Sequence, residues 1–192
     1  MSFRLSLCLL GLSLTLTACD RAAEEKAQQP GDQASENKVL TGVIDRRFAG
    51  DLMPAMNVID PAGNELNLGA LQGQPVLINL WATWCAPCVI EMPMLDNLAD
   101  ELGDELRVLT ISQDSKGAEK VVPFFAKHQF RNLEPWMDPQ NALDFGAGSA
   151  GLPLVVLYDA SGREVFRVAG GYEWDNREAI AQIREGLDPD GR

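Results

Sequence analysis

Along the chain, apolar runs typical of buried strands alternate with segments whose apolar residues recur at helical spacing. Residues 75–81 (PVLINLW) form a nearly continuous apolar run, which is typical of a strand buried on both faces of a sheet. Over residues 86–102 the apolar positions recur at helical spacing and predict an amphipathic helix. Later segments predict a strand at 106–112, a helix at 118–128, a hairpin of strands at 154–158 and 165–169, and a closing helix at 175–186 capped by Asp175. This order predicts an α/β fold with a mixed central sheet flanked by helices.

A further hairpin is predicted before the central strand. Residues 56–60 and 65–68 flank the turn-forming segment Pro61–Asn64, which contains a proline, a glycine and an asparagine. We therefore expect an N-terminal β-hairpin extension on a domain that spans residues 39–192.

The first nineteen residues resemble a bacterial export signal. Arg4 supplies a positive start, and the apolar run at 5–16 is shorter than the roughly 20 residues that cross a bilayer. The end of this run, LTAC at 16–19, resembles the bacterial lipobox, which implies removal of residues 1–18 as a lipoprotein signal peptide and lipidation of Cys19. A plain secretory signal and an uncleaved anchor are the alternatives.

The segment 19–38 is predicted to be a flexible tether. Residues 20–38 contain no large apolar side chain, so they cannot bury enough surface to offset the entropy of ordering. An exposed helix over 22–29 is the alternative. Asp20, directly after the lipidated cysteine, resembles a signal for retention in the inner membrane.

Composition narrows the possible partners. The 192 residues include 16 Lys and Arg against 28 Asp and Glu, a formal charge of −12. We therefore expect no nucleic-acid partner, because phosphate binding requires a basic surface. The single histidine excludes any site that needs two imidazoles.

The candidate chemistry lies at Cys85-Ala86-Pro87-Cys88, where the buried strand leads into a helix. A cysteine at a helix N-terminus has its thiolate favoured by free N–H groups and the helix dipole, and the thiolate is the attacking species. Two intervening residues keep the second sulfur close enough to attack a mixed disulfide. The pattern predicts Cys85 as the nucleophile and Cys88 as the resolving thiol, and Pro87 suits a first helical turn.

Other interpretations of the two cysteines remain open. They could form half of a zinc site, although only His128 is left in the predicted mature domain as a further ligand of the Cys or His type. They could instead form an inert structural disulfide. A haem attachment motif would require histidine at the next position, where Val89 stands.

These motifs resemble a known family. WCAPC at 84–88, following VLINLWAT at 76–83, resembles the active-site segment of the thioredoxin superfamily. More narrowly, the chain resembles TlpA-like, membrane-tethered thiol–disulfide oxidoreductases, a branch that includes the thiol reductases of cytochrome c maturation. Further matching positions are the segment LGALQGQP at 68–75, Glu91, Pro93, the tripeptide Gly151-Leu152-Pro153 and the hairpin that follows it. The resemblance implies a thioredoxin-like fold.

The resemblance also implies roles for single residues. Glu91, one helical turn beyond Cys88, would raise the pKa of that thiol and relay its proton. Pro153 would follow a cis peptide bond and expose the backbone of Leu152 to an incoming peptide. Trp84, Pro87, Leu152 and Pro153 are accordingly the candidate substrate-binding residues; Trp81 is expected in the core, or the two tryptophans exchange these places.

Two positions depart from the family pattern. Asn79 stands six residues before Cys85, where thioredoxins carry a buried, titratable aspartate, so Glu91 is left as the candidate proton carrier. Leu152 replaces the small or β-branched residue that is frequent before the proline, which bears on substrate preference.

The functional hypothesis is a lipid-anchored thiol–disulfide oxidoreductase on the periplasmic side of the bacterial inner membrane. It would reduce disulfides of partner proteins through Cys85 and Cys88 and be reduced again by a membrane electron donor. No bound cofactor and no metal are expected. A disulfide-introducing oxidase and a metal-binding chaperone using the same thiols are the alternatives.

Overall fold

The computed structural model describes residues 40–143 and 151–188, and within them the chain forms one mixed sheet of eight strands in the order β1-β8-β7-β4-β5-β6-β2-β3. The strands are β1 (Val43–Asp45), β2 (Asn57–Ile59), β3 (Glu65–Asn67), β4 (Val76–Trp81), β5 (Arg107–Ser112), β6 (Pro135–Met137), β7 (Leu154–Tyr158) and β8 (Glu164–Ala169). The helices are α1 (Ala86–Leu102), α2 (Ala118–His128) and α3 (Arg177–Leu187).

Strand β4 lies at the centre of the sheet, as its apolar run predicts. It pairs with β5 in parallel and with β7 in antiparallel orientation, and all six of its residues are buried. A strand with a partner on each edge and a packed layer on each face has no contact with water, which explains why apolar and polar residues do not alternate along it. Its last residue, Trp81, pairs with Ser112 of β5, so both strands end at the same edge of the sheet.

The two faces of the sheet are covered differently. Leu77 and Trp81 of β4 belong to a core cluster that also contains buried residues of all three helices. Val76, Ile78 and Leu80, which alternate with them, belong to a second cluster. Its other members in the described residues are contributed by strands and connecting segments: Met53, Val58, Leu68, Leu109, Ile111, Leu143, Leu154, Val156 and Tyr158.

The predicted elements are largely confirmed. Helices α1 and α2 have the predicted bounds, and the N-terminal hairpin is present as β2 and β3, which join the sheet through the pair Ile59 and Met137. The cap of the closing helix was wrong by one residue. Asn176 accepts a hydrogen bond from the Ala179 N–H at 2.8 Å, whereas Asp175 accepts one from Asn97. Two three-residue strands, β1 and β6, were not predicted.

Several predictions lie outside the described residues, namely the signal peptide at 1–18, lipidated Cys19 and the tether at 19–38. The domain predicted for residues 39–192 is described over 40–143 and 151–188. In this part of the chain no helix is both long enough and apolar enough to cross a bilayer.

Candidate active site

The two cysteines lie where the central strand gives way to α1. Cys85 is the residue that caps the helix, with extended backbone angles, and it forms a disulfide with Cys88. The Cys88 N–H, which has no carbonyl partner within the helix because it lies in the first turn, donates to Cys85 Sγ at 3.3 Å. Pro87 is the second residue of the helix, where the absence of its N–H breaks no helical hydrogen bond. The local geometry predicted from sequence is therefore present.

The two cysteines differ in burial. Cys88 is completely buried, whereas Cys85 keeps 6% of its surface exposed. Next to it, Trp84 is 71% exposed, while Trp81 is fully buried against Phe124 of α2 at a ring separation of 4.8 Å. Trp84 is therefore the tryptophan available at the surface beside Cys85, and Trp81 is a core residue.

Hydrogen bonds fix the loop between β4 and the cysteines to the end of β5. The Thr83 N–H and O–H groups donate to Asp114 Oδ2 and Oδ1, each at 2.8 Å. The Ser112 O–H also donates to Asp114 Oδ2, at 2.9 Å. Asp114 was not predicted as a site residue, although a charged residue two positions beyond a predicted strand was an available signal.

The peptide bond between Leu152 and Pro153 is cis, as the family resemblance implies. Pro153 is buried and Leu152 is half-buried. A cleft of about 270 Å³ brings Leu152 and Trp84 together. Its described lining has no charged side chain and consists of Leu80, Trp84, Gln113, Asn141, Leu143, Gly151, Leu152 and Leu154.

Glu91 is completely buried on α1, three residues after Cys88. Its Oε2 accepts hydrogen bonds from the Tyr172 N–H and the Trp174 Nε1–H, both at 3.3 Å, and its Oε1 has no hydrogen-bond partner within residues 40–143 and 151–188. Burial raises the pKa of Glu91 to about 8, and the two hydrogen bonds oppose this shift. Glu91 therefore holds a proton through most of the neutral range. Tyr172 and Trp174 were not predicted, because nothing in their local sequence links them to Glu91.

Asn79 lies in the middle of β4 and is completely buried. Its Nδ2 is 3.7 Å from Met92 Sδ, and no hydrogen-bond partner of its Oδ1 lies in the part of the chain that the structure describes. As an amide, Asn79 cannot titrate. Glu91 on α1 is therefore the candidate proton carrier.

Residues suited to a metal do not come together in the described part of the chain, where no three His, Cys, Asp or Glu side chains are grouped to hold an ion. His128 is stacked on Phe124 and Phe130, with ring separations of 4.3 and 5.6 Å.

Residues 48–181, more than half of the chain, match the Redoxin family, and the chain belongs to that family. It is 31% identical to thiol-disulfide oxidoreductase ResA of Bacillus cereus over 69% of this chain and 76% of ResA. It is 30% identical to thiol:disulfide interchange protein HelX of Rhodobacter capsulatus over 64% of this chain and 69% of HelX. Among solved structures it is similar to the exposed lipoprotein thioredoxin Etrx1 of Streptococcus pneumoniae, with a TM-score of 0.55, 26% identity, and coverage of 69% of this chain and 98% of that chain.

The predicted thioredoxin-like fold and family are thereby confirmed. With a Cys85–Cys88 disulfide at the start of α1 and these relatives, the chain is a thiol–disulfide oxidoreductase.

Proposed function

We propose that the protein is a lipid-anchored reductase of protein disulfides outside the cytoplasm, with Cys85 as nucleophile and Cys88 as resolving thiol. The assignment of roles to the two cysteines rests on their different burial. Cys85 caps α1 and keeps part of its surface exposed, whereas Cys88 is completely buried. A substrate sulfur can therefore approach Cys85 first. The helix N-terminus supports the choice, because it stabilises a thiolate at Cys85.

The reaction transfers two electrons. The Cys85 thiolate attacks one sulfur of the substrate disulfide, the S–S bond breaks, and the other substrate sulfur leaves and takes up a proton. The Cys88 thiol then loses its proton and attacks Cys85 Sγ, which releases the second substrate thiol. The substrate is reduced, and the protein is oxidised to the Cys85–Cys88 disulfide. A membrane electron donor then supplies two electrons and two protons to restore the dithiol.

Glu91 is proposed to accept the proton of Cys88. It lies one helical turn beyond Cys88 and is equally buried, and its pKa of about 8 lies close to that of a thiol. Because Glu91 holds a proton through most of the neutral range, its minor ionised form is the one that takes the proton of Cys88. The Oε1 atom supports the proposal, because this oxygen has no hydrogen-bond partner among the described residues and is free to bind a proton when Glu91 is ionised.

Substrate docking is proposed at Trp84, Pro87, Leu152 and Pro153. The exposed Trp84 ring and the uncharged cleft that it shares with Leu152 suit an extended, apolar segment of a substrate. Proteins that carry reducible disulfides are the expected partners, and the family resemblance suggests apocytochrome c among them.

Membrane attachment is proposed to occur through lipid on Cys19, after removal of residues 1–18, with residues 19–38 as a tether for the domain at 39–192. The LTAC sequence at 16–19 supports it, as does the similarity to Etrx1, which is described as an exposed lipoprotein. The inner membrane is the proposed location, since Asp20 follows the cysteine.

The experiment that tests the proposal is a trap. Cys88→Ser leaves Cys85 able to attack but removes the thiol that resolves the adduct, so partner proteins should accumulate in mixed disulfides that a reductant releases. The double variant Cys85→Ser, Cys88→Ser is the matched control and should capture none.

Two outcomes would contradict the proposal. Equal capture by the control variant would exclude Cys85 as the attacking residue. The redox state of the same partners in cells that lack this protein gives the direction of electron transfer. If the protein is a reductase, the partners should remain as disulfides in those cells. If they accumulate there as free thiols instead, the protein is an oxidase.

A further inference from the structure

Asp114 is a buried carboxylate with an unusually complete set of donors. It keeps 3% of its surface exposed, and three donors reach its two oxygens at 2.8–2.9 Å. None of the ion pairs found among the described residues includes Asp114. A buried carboxylate is costly unless hydrogen bonds replace its water, and the side-chain oxygens of Asp114 accept them from neutral groups among the described residues.

The position of Asp114 links it to the dithiol. The parallel pairing of β4 with β5 ends at Trp81 and Ser112, after which the Gln113 N–H donates to the Trp81 carbonyl at 2.8 Å. Beyond this point the backbones separate, and the Asp114 side chain bridges them by binding both donors of Thr83. Thr83 is two residues before Cys85, whose own N–H donates to the Ala82 carbonyl at 3.1 Å.

We propose that Asp114 is a positioning residue for the disulfide exchange: through Thr83 it holds the loop that carries Trp84 and Cys85. The inference rests on the proposed role of Cys85 as nucleophile. With the loop held, Cys85 Sγ stays where the Cys88 N–H donates to it, at the start of α1. Without this anchor the loop samples other conformations, and the thiolate spends less time at the helix N-terminus that stabilises it.

Anchoring and charge predict opposite effects, so they can be separated. A negative carboxylate near Cys85 disfavours a thiolate, and removing that charge would make Cys85 more reactive near neutral pH. Removing an anchor would make Cys85 less reactive. Asp114→Asn removes the charge and weakens the anchor, and the sign of its effect identifies which one dominates.

The test measures alkylation of Cys85 by iodoacetamide in the reduced full chain carrying Cys88→Ser, with the modified peptide quantified by mass spectrometry across pH. We expect Asp114→Asn to slow alkylation at pH 7 by roughly fivefold, the scale of one lost hydrogen bond. The matched control is Asp159→Asn. Asp159 accepts the Ser161 N–H at 2.8 Å and the Arg163 N–H at 3.0 Å, but it follows the end of β7 that pairs with the start of β4, away from the cysteines, and its replacement should leave the rate unchanged.

A second pair of variants keeps the carboxylate and covers the case in which Asp114→Asn does not fold. Thr83→Val removes the O–H donor and retains the N–H donor and the branched shape, so it should slow alkylation by a smaller factor. Thr83→Ser retains both donors and should match the parent.

Faster alkylation in Asp114→Asn would show that Asp114 acts by its charge and would overturn the proposal. Equal rates in Thr83→Val and Thr83→Ser would overturn it as well. Failure of the proposed function looks different: Cys85 in the parent protein would then not react at all, whatever stands at 114.

Discussion

Two buried acidic side chains, Asp114 bonded to the loop before Cys85 and Glu91 on the helix that carries Cys88, have different hydrogen-bond partners. Asp114, beyond the end of β5, has both oxygens occupied by three donors at 2.8–2.9 Å. Glu91, on α1, has two donors at 3.3 Å that both reach one oxygen, and the other oxygen has no partner among the described residues. Both side chains are almost entirely removed from water.

The difference shows that burial alone does not decide what a carboxylate does. At Asp114 the surrounding donors replace water, and the side chain can serve as a fixed anchor for Thr83. At Glu91 two long hydrogen bonds do not compensate for lost water, so desolvation raises the pKa of Glu91 to about 8 and the group carries a proton that it can exchange. Three predictions test this contrast.

The largest effect is expected from Glu91→Gln. The folded-state pKa of Glu91 lies near 8, above its ordinary value of 4.5. Its contribution to folding is therefore fully present below about pH 4.5 and is lost as the pH rises through 8. At 1.36 kcal/mol per pKa unit the loss amounts to at most roughly 5 kcal/mol. The free energy of unfolding, measured with denaturant from pH 4.5 to 9, should decline less with pH in Glu91→Gln. Glu101, an exposed glutamate of the same helix, provides the control Glu101→Gln, which should decline like the parent. An unchanged decline in Glu91→Gln would refute the assignment.

A smaller effect is expected from Asp114→Ala. The substitution leaves the Thr83 N–H and two hydroxyl groups without their acceptor. We expect the free energy of unfolding at pH 7 to fall by roughly 3 kcal/mol, since each unpaired buried donor costs about 1–3 kcal/mol and the two hydroxyl groups can rotate toward other acceptors. Ser112→Ala removes one donor to Asp114 and the acceptor of the Asp114 N–H, but it leaves both oxygens of Asp114 partnered, so it should cost about 1–2 kcal/mol. Equal losses in the two variants would mean that the carboxylate is not the anchor.

The smallest effect is expected from Trp174→Phe, which removes one of the two donors to Glu91. Because this hydrogen bond lowers the pKa of Glu91, its loss should move the midpoint of the decline in stability to higher pH. The shift corresponds to about 1 kcal/mol, the contribution of one hydrogen bond. The midpoint, rather than stability at one pH, is the readout, because the smaller phenyl ring also leaves a cavity whose cost is independent of pH. A midpoint that falls or stays in place would contradict the arrangement around Glu91.

Local patterns predicted the long elements well. The bounds of α1 and α2 agree with the apolar spacing, because each helix packs one continuous face on the core. Strand β6 was not predicted. Its three residues form a strand by pairing with β5 and β2, and a segment of three residues is too short for its sequence pattern to predict which strands it pairs with. The closing helix begins one residue later than predicted, because the side chain of Asn176, rather than that of Asp175, accepts a hydrogen bond from a free N–H group of the first turn.

The redox pair and its setting follow from the local sequence, because two cysteines three residues apart at a helix start are held by bonds and hydrogen bonds within one turn. The behaviour of the two buried acidic side chains depends instead on contacts between distant parts of the chain. Thr83 reaches Asp114 across 31 positions, and Tyr172 and Trp174 reach Glu91 across 81 and 83. Whether a buried acid keeps its proton or serves as an anchor depends on which distant donors replace water around it, and no local pattern in the chain records that.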